Sequence, residues 1–168
     1  MTGVILAGMA GTDVDEICQA VMAIADESLD HMRKILSRMS YQQANTVPAL
    51  PGANSPYAIV THCVGMTDYW GGSLIAGLRI PRDRDAEFEA HGDPRDLCDE
   101  VERLRRRFPG WVRIALTEGI RDRTAVGTTR SNTQTASPTW VLLHIVRELS
   151  QHLGQLEITR DLLAANDH

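Results

Sequence analysis

Glu148 and His152 stand four residues apart in a segment whose apolar residues recur in steps of three and four. The stripe reads Val141, Ile145, Glu148, His152, Leu156, Thr159, Leu163, the spacing of one face of a helix. Residues at i and i+4 point the same way, and an unpaired carboxylate on a buried face is costly. Two arrangements would compensate the pair. One is a Glu–His hydrogen bond completed by water. The other is a divalent metal ion, because carboxylate oxygen and imidazole nitrogen both suit zinc and similar ions. A third group comes from the second apolar segment, where His62 shares a stripe with Ile59, Cys63, Met66 and Trp70. Helical bundles build metal sites from side chains on facing helices. A metal reading would take His62, Glu148 and His152 as ligands and leave a position open for water or substrate; a satisfied polar pair stands as an equal alternative on spacing alone.

His144 is also four residues from Glu148, but it is eight from His152. That is about 12 Å of helix rise, too far for both to hold one ion. It is read as a structural or outer partner of the site, on the flank of the helix, since metal-bound imidazoles lean on further groups. Trp70 is read as core or pocket wall. Cys63 adjoins His62, but neighbouring helical residues point about 100° apart, so Cys63, like Cys18 and Cys98, is expected to be a small core residue. His31 is expected at the surface, with the bundle lining as the alternative; His91, in a loop, and His168, at the terminus, support no site.

Four helices must position these groups. The first is expected from Thr12, as cap, to about Ser40, with Val14, Ile17, Val21, Ile24, Met32, Ile35 and Met39 on its buried face. Three prolines and Gly52 make 45–56 a loop. The second helix opens at Asn54 or Ser55 with Pro56 behind, and Gly71, Gly72 and Gly77 weaken its end. A long polar connection, 78–92, lets the chain cross the bundle. The third helix opens at Asp93-Pro94, with Pro109 kinking or splitting it. Residues 119–137 read as loop, with Val126 suited to a short extended piece. The fourth helix runs from Ser137-Pro138 to about Ala165. The fold class is all-α, a four-helix bundle with a long crossover, in one domain over 1–168.

Composition narrows the partners. The chain has 168 residues, 43% hydrophobic and 23% charged, with net charge −5. That is an ordinary folded domain without the basic face that nucleic acid needs. The cluster Arg103, Arg105, Arg106, Arg107 follows Asp96, Asp99, Glu100 and Glu102 and reads as a solvated face. Three cysteines without CxxC spacing suit a reducing cytoplasm. The apolar run Val4–Ala7 has no basic segment ahead of it and does not read as a signal peptide. No stretch approaches the roughly 20 apolar residues of a membrane span. The oligomeric state stays open, with a homodimer as one expectation.

The segment from Trp140 to Leu163, containing Glu148, His152-Leu-Gly-Gln155 and Arg160-Asp-Leu, resembles the last helix of the DinB-like metal-binding bundles. It is closest to their mycothiol-dependent branch, where Glu replaces the first His. Ile59-Val-Thr-His62-Cys-Val-Gly-Met66-Thr-Asp-Tyr-Trp70 resembles the family's other ligand helix. The resemblance implies a divalent ion, zinc or nickel, on His62, Glu148 and His152. It also implies transfer or isomerisation with a low-molecular-weight thiol, mycothiol in actinobacteria, acting on a small electrophile. The related maleylpyruvate isomerase carries a further C-terminal domain. This chain stops at His168, so a simpler S-transferase is the expectation. A metal hydrolase and a non-catalytic stress-response or metal-binding protein are the alternatives.

Overall fold

The computed structural model describes residues 11–128 and 131–165; the run Val4–Ala7 and His168 lie outside them. Helix α1 spans Gly11–Leu36, α2 Tyr41–Asn45, α3 Pro56–Thr67, α4 Arg84–Phe88, α5 Pro94–Thr117 and α6 Pro138–Ala165. A π-helical segment, Asp68–Ile75, continues α3, and Ser131–Gln134 form a 3-10 turn. No strand occurs among the described residues, Val126 included, which is 86% exposed. The fold is an all-α bundle of α1, α3, α5 and α6. None of its described helices is long and apolar enough to cross a membrane.

The helix starts follow the cap-then-proline signal. Ser55 accepts from Ala58 N ahead of Pro56, and Asp93 accepts from Arg95 N ahead of Pro94. Ser137 Oγ accepts from Trp140 N at 3.1 Å, ahead of Pro138. Each satisfies an amide that the helix leaves without a partner. Two expectations for α1 fail. The backbone is already helical at Gly11, so Thr12 lies inside the helix. The helix stops at Leu36, because Ser40 forms a capping box with Gln43 and starts α2 instead. The buried face of α1 keeps Val21, Met32 and Ile35 of the expected stripe and is broader than it. Cys18, Val21, Ala25, Leu29, Met32 and Leu36 are buried, and Ile24 is 46% exposed.

Pro109 does not split α5, which continues from Pro94 to Thr117. An interior proline costs about 3 kcal/mol. Leu104, Phe108, Trp111, Val112 and Ala115 are buried on both sides of it and hold the helix together.

Gly71 and Gly72 do not end the second helix either. They are contact points: a Cβ on Gly71 would come within 2.5 Å of the Trp111 ring, and one on Gly72 within 2.5 Å of Ile80 Cδ1. The stop comes at Gly77, whose φ of 72° suits glycine. There Gly77 N bonds Ser73 O and Leu78 N bonds Gly72 O, closing the last turn. Carbonyls of Leu74 and Ile75 then accept from Asp122 N and Arg121 N, each at 3.1 Å. The loop 119–137 is thereby docked on the end of the π segment. Arg123 Nη1 braces it further, donating to the carbonyls of Thr133, Gln134 and Ala136.

The ring contacts fix the direction of the site-bearing helices. His62 meets His152, while Trp70, two turns later, meets His144 and Trp140, earlier in α6. The α3–π rod and α6 therefore run antiparallel. Gly71→Ala should lower stability by about 1–3 kcal/mol, the cost of overpacking. Gly110→Ala, in the same bundle but with nothing near its Cβ, should raise it by about 0.5–1 kcal/mol. Thermal unfolding should show melting shifts of opposite sign, roughly 2–4 °C per kcal/mol.

Candidate metal centre

Within α6, Leu149 takes the centre of the buried face, wholly enclosed beside Val141, Ile145 and Leu156. Glu148 and His152 sit at its edge, with side chains 14% and 16% exposed. Across from them, His62 is buried in the middle of α3. His62, Glu148 and His152 each offer one ligand atom, and these atoms lie within 4.8 Å of one another. The His62 and His152 rings are 4.8 Å apart at 75°. His152 Nε2 lies 3.6 Å from Glu148 Oε2, beyond hydrogen-bond length. Glu148 and His152 therefore share no direct hydrogen bond, only an ion-pair contact when the imidazole is protonated.

Both histidines are turned by a partner behind them. His62 Nδ1 lies 2.8 Å from Glu87 Oε2. Arg82 grips the same carboxylate, Nε to Oε1 at 2.6 Å and Nη2 to Oε2 at 2.9 Å. Arg82 Nη1 donates to Gly127 O at 2.8 Å. The Glu87 and Arg82 side chains are 7% and 5% exposed. Burial pushes the Glu87 carboxyl up, but the bonds from Arg82 and His62 outweigh it and hold the group below the ordinary glutamate value. An ionised carboxylate only accepts, so Nδ1 of His62 carries the proton and Nε2 is left for an ion. On α6, His152 Nδ1 donates to Gln155 Oε1 at 2.9 Å, so its Nε2 is likewise free. Such partners orient imidazole ligands and set their tautomer.

Glu148 is the third group. Burial raises its carboxyl, but the hydrogen bond and the charge of Arg147 outweigh this and keep it below the ordinary glutamate value. His144 is buried at 4% exposure and not on the flank, which corrects the expectation. Its ring stacks on Trp140 at 5.0 Å and meets the edge of Trp70 at 4.7 Å. Arg147 Nη2 donates to His144 Nδ1 at 3.0 Å, so its lone pair is spent away from the triad. Trp70 is wall, as expected. A cleft of about 210 Å³ opens onto the site, lined by His62, Met66, Trp70, Arg82, Arg84, Thr128, His144 and Glu148.

The other thiols and imidazoles stay apart. Cys63 is fully buried, and burial drives its thiol far up, out of reactive range. Cys18 is a buried free thiol and Cys98 a half-buried one. His31 and His91 are exposed.

Glu87 and Arg82 were missed in the sequence, inside a connection read as polar and without a role. Two signals were present there. Asp83 caps a single turn, accepting from Asp85 N and Ala86 N. Phe88 is a lone aromatic in that run, and it stacks on His62 at 4.8 Å. Gly65 is the third sign, since a Cβ there would overlap Oε1 of Glu87.

Residues 20–165 match the family model described as Mycothiol-S-transferase. No curated protein and no solved structure matches the chain. With an all-α bundle and a match over most of its length, the chain belongs to the mycothiol S-transferase family, a DinB-like family.

Proposed function

We propose that the protein is a metal-dependent transferase that joins a low-molecular-weight thiol, mycothiol or a close analogue, to a small electrophile. The observation that carries this reading is the convergence of His62, Glu148 and His152 with both imidazoles pre-turned by Glu87 and Gln155. The donor set, two imidazole nitrogens and one carboxylate, fits a divalent ion such as zinc or nickel. Such an ion, when bound, acts as a Lewis acid and lowers the pKa of a thiol.

The chain's own residues do the rest. Glu87 and Gln155 hold the Nδ1 protons of His62 and His152, keeping each Nε2 lone pair aimed into the gap. Arg147 keeps Glu148 ionised at neutral pH. Arg82 cancels the charge of Glu87, so the buried support adds no net charge beneath the site. Trp70, Met66 and His144 wall the cleft and restrict water. Transfer forms a sulfur–carbon bond while the leaving group departs with its electron pair, and the thiol proton passes to solvent. The partners are small molecules, and free cysteines suit a cytoplasmic setting.

Elemental analysis should find about one divalent ion per chain. His62→Ala, Glu148→Ala and His152→Ala should each lose it while keeping their far-ultraviolet helix signal. Stoichiometric metal retained in His152→Ala would sink the assignment. Turnover should require added thiol, and hydrolysis at full rate without thiol would mark a hydrolase instead.

Gly65→Ala probes the support. The new methyl displaces the Glu87 carboxylate and leaves His62 unheld. Metal affinity should fall about 10–100-fold, the usual loss when an outer partner goes. A competition titration against a chelator measures it, and unchanged affinity would show that Glu87 does not orient His62.

A further inference from the structure

Among the described residues, the charges lining the cleft are paired, with one exception. Glu148 has Arg147, and Glu87 has Arg82, whose three guanidinium nitrogens are all engaged. Arg84 lines the same cleft, yet its guanidinium makes no hydrogen bond or ion pair with any described residue. Its contact is with a ring: the guanidinium carbon lies 5.1 Å from the centre of Phe88. Phe88 in turn stacks on His62 at 4.8 Å and 26°. Arg84 and Phe88 are i and i+4 on α4, so the stack is set by the helix itself. It holds the guanidinium plane in place over an apolar face while leaving its five N–H donors unspent.

We infer that Arg84 is an anion anchor in the metal cleft, and that the electrophile taken by this protein carries a carboxylate or another oxyanion. The identification of that anion as the electrophile rests on the transferase reading. A molecule filling the cleft strips water from Arg84, which is unfavourable unless it supplies an acceptor. A carboxylate matches the guanidinium fork in two parallel bonds. A neutral molecule of the same shape offers weaker acceptors and leaves the cation uncompensated. The Arg84–Phe88–His62 stack also fixes the distance from the anchored group to the triad, so the anion places the reacting carbon.

Benzoate and benzamide, which share a shape and differ in charge, are the probes. Their binding is read by tryptophan fluorescence, Trp70 lining the cleft and Trp140 stacking on His144, on zinc-loaded and metal-stripped protein. Benzoate should bind about tenfold or more tighter than benzamide in both forms, the margin of one charge-assisted pair. Arg84→Gln should abolish the preference with unchanged zinc content, and Arg84→Lys should keep part of it. Equal binding of the two probes would overturn the anchor. So would a benzoate preference that survives Arg84→Gln, or one seen only with zinc present. With mycothiol and para-chloromethylbenzoate, a sulfur–carbon bond forms as chloride leaves with its electron pair and the thiol proton goes to solvent. Arg84→Gln should raise KM for that electrophile and leave KM for para-chloromethylbenzamide and for the thiol unchanged. A rise in the thiol KM alone would overturn the assignment to the electrophile. Absence of turnover with an intact, Arg84-dependent benzoate preference would sink the transferase reading and uphold the anchor.

Discussion

His62 presents Nε2 to the gap only while its Nδ1 proton is held, and the carboxylate that holds it is buried. A buried carboxylate alone would take up a proton or leave. Glu87 stays ionised because Arg82 closes on it with two bonds, and Arg82 stays because Gly127 O takes its remaining nitrogen. Removing one partner from such a pair strands the other charge, at a cost of about 3–5 kcal/mol. Three chain segments far apart in sequence thus meet at one ring nitrogen: α3, the turn carrying Glu87 and the loop at Gly127. The rest of the connection 78–92 follows from that demand. Its single helical turn exists to bring Glu87 and Phe88 to His62 together, and Gly65 leaves the room.

The α6 side obeys a different geometry. Trp140, His144, Glu148 and His152 are spaced by four, so they form a strip that drifts slowly around the helix. The hydrophobic face runs beside it through Val141, Ile145, Leu149 and Leu156. Polar groups at the margin of a core remain reachable from the cleft while their backs are desolvated. That position leaves the Glu148 and His152 side chains only partly exposed. The same strip sends His144 between two tryptophans, where its Nδ1 serves Arg147 and its ring fills space.

Much of this was legible in the sequence, for identifiable reasons. Caps followed by proline announce Ser55, Asp93 and Ser137 without tertiary information. The triad was legible because two of its members lie four apart on one helix and the third interrupts an apolar stripe. What was lost is non-local. Glu87 meets His62 across 25 positions of chain, and nothing in a polar run marks one glutamate as buried. The packing role of Gly71 and Gly72 was hidden because a glycine that weakens a helix end and a glycine that admits a tryptophan are the same residue; only Trp111 distinguishes them. Pro109 was over-weighted for a related reason, since helix-breaking is a local cost and the packing that outweighs it is not.

Arg82 and Arg84 show how little residue type says about role. They are two positions apart, on either side of the Asp83 cap, and both line the cleft. Arg82 has spent every nitrogen on protein acceptors and is nearly enclosed; it is scaffold, and its fork geometry is what lets it grip a carboxylate and a carbonyl at once. Arg84 has spent none, and a flat ring holds it in register with His62. The Phe88 ring compensates the cation in part and leaves its N–H donors to solvent or to a ligand. A bound anion would complete the hydrogen bonds that no described residue makes to Arg84, so the recognition chemistry proposed for this cleft rests on that guanidinium.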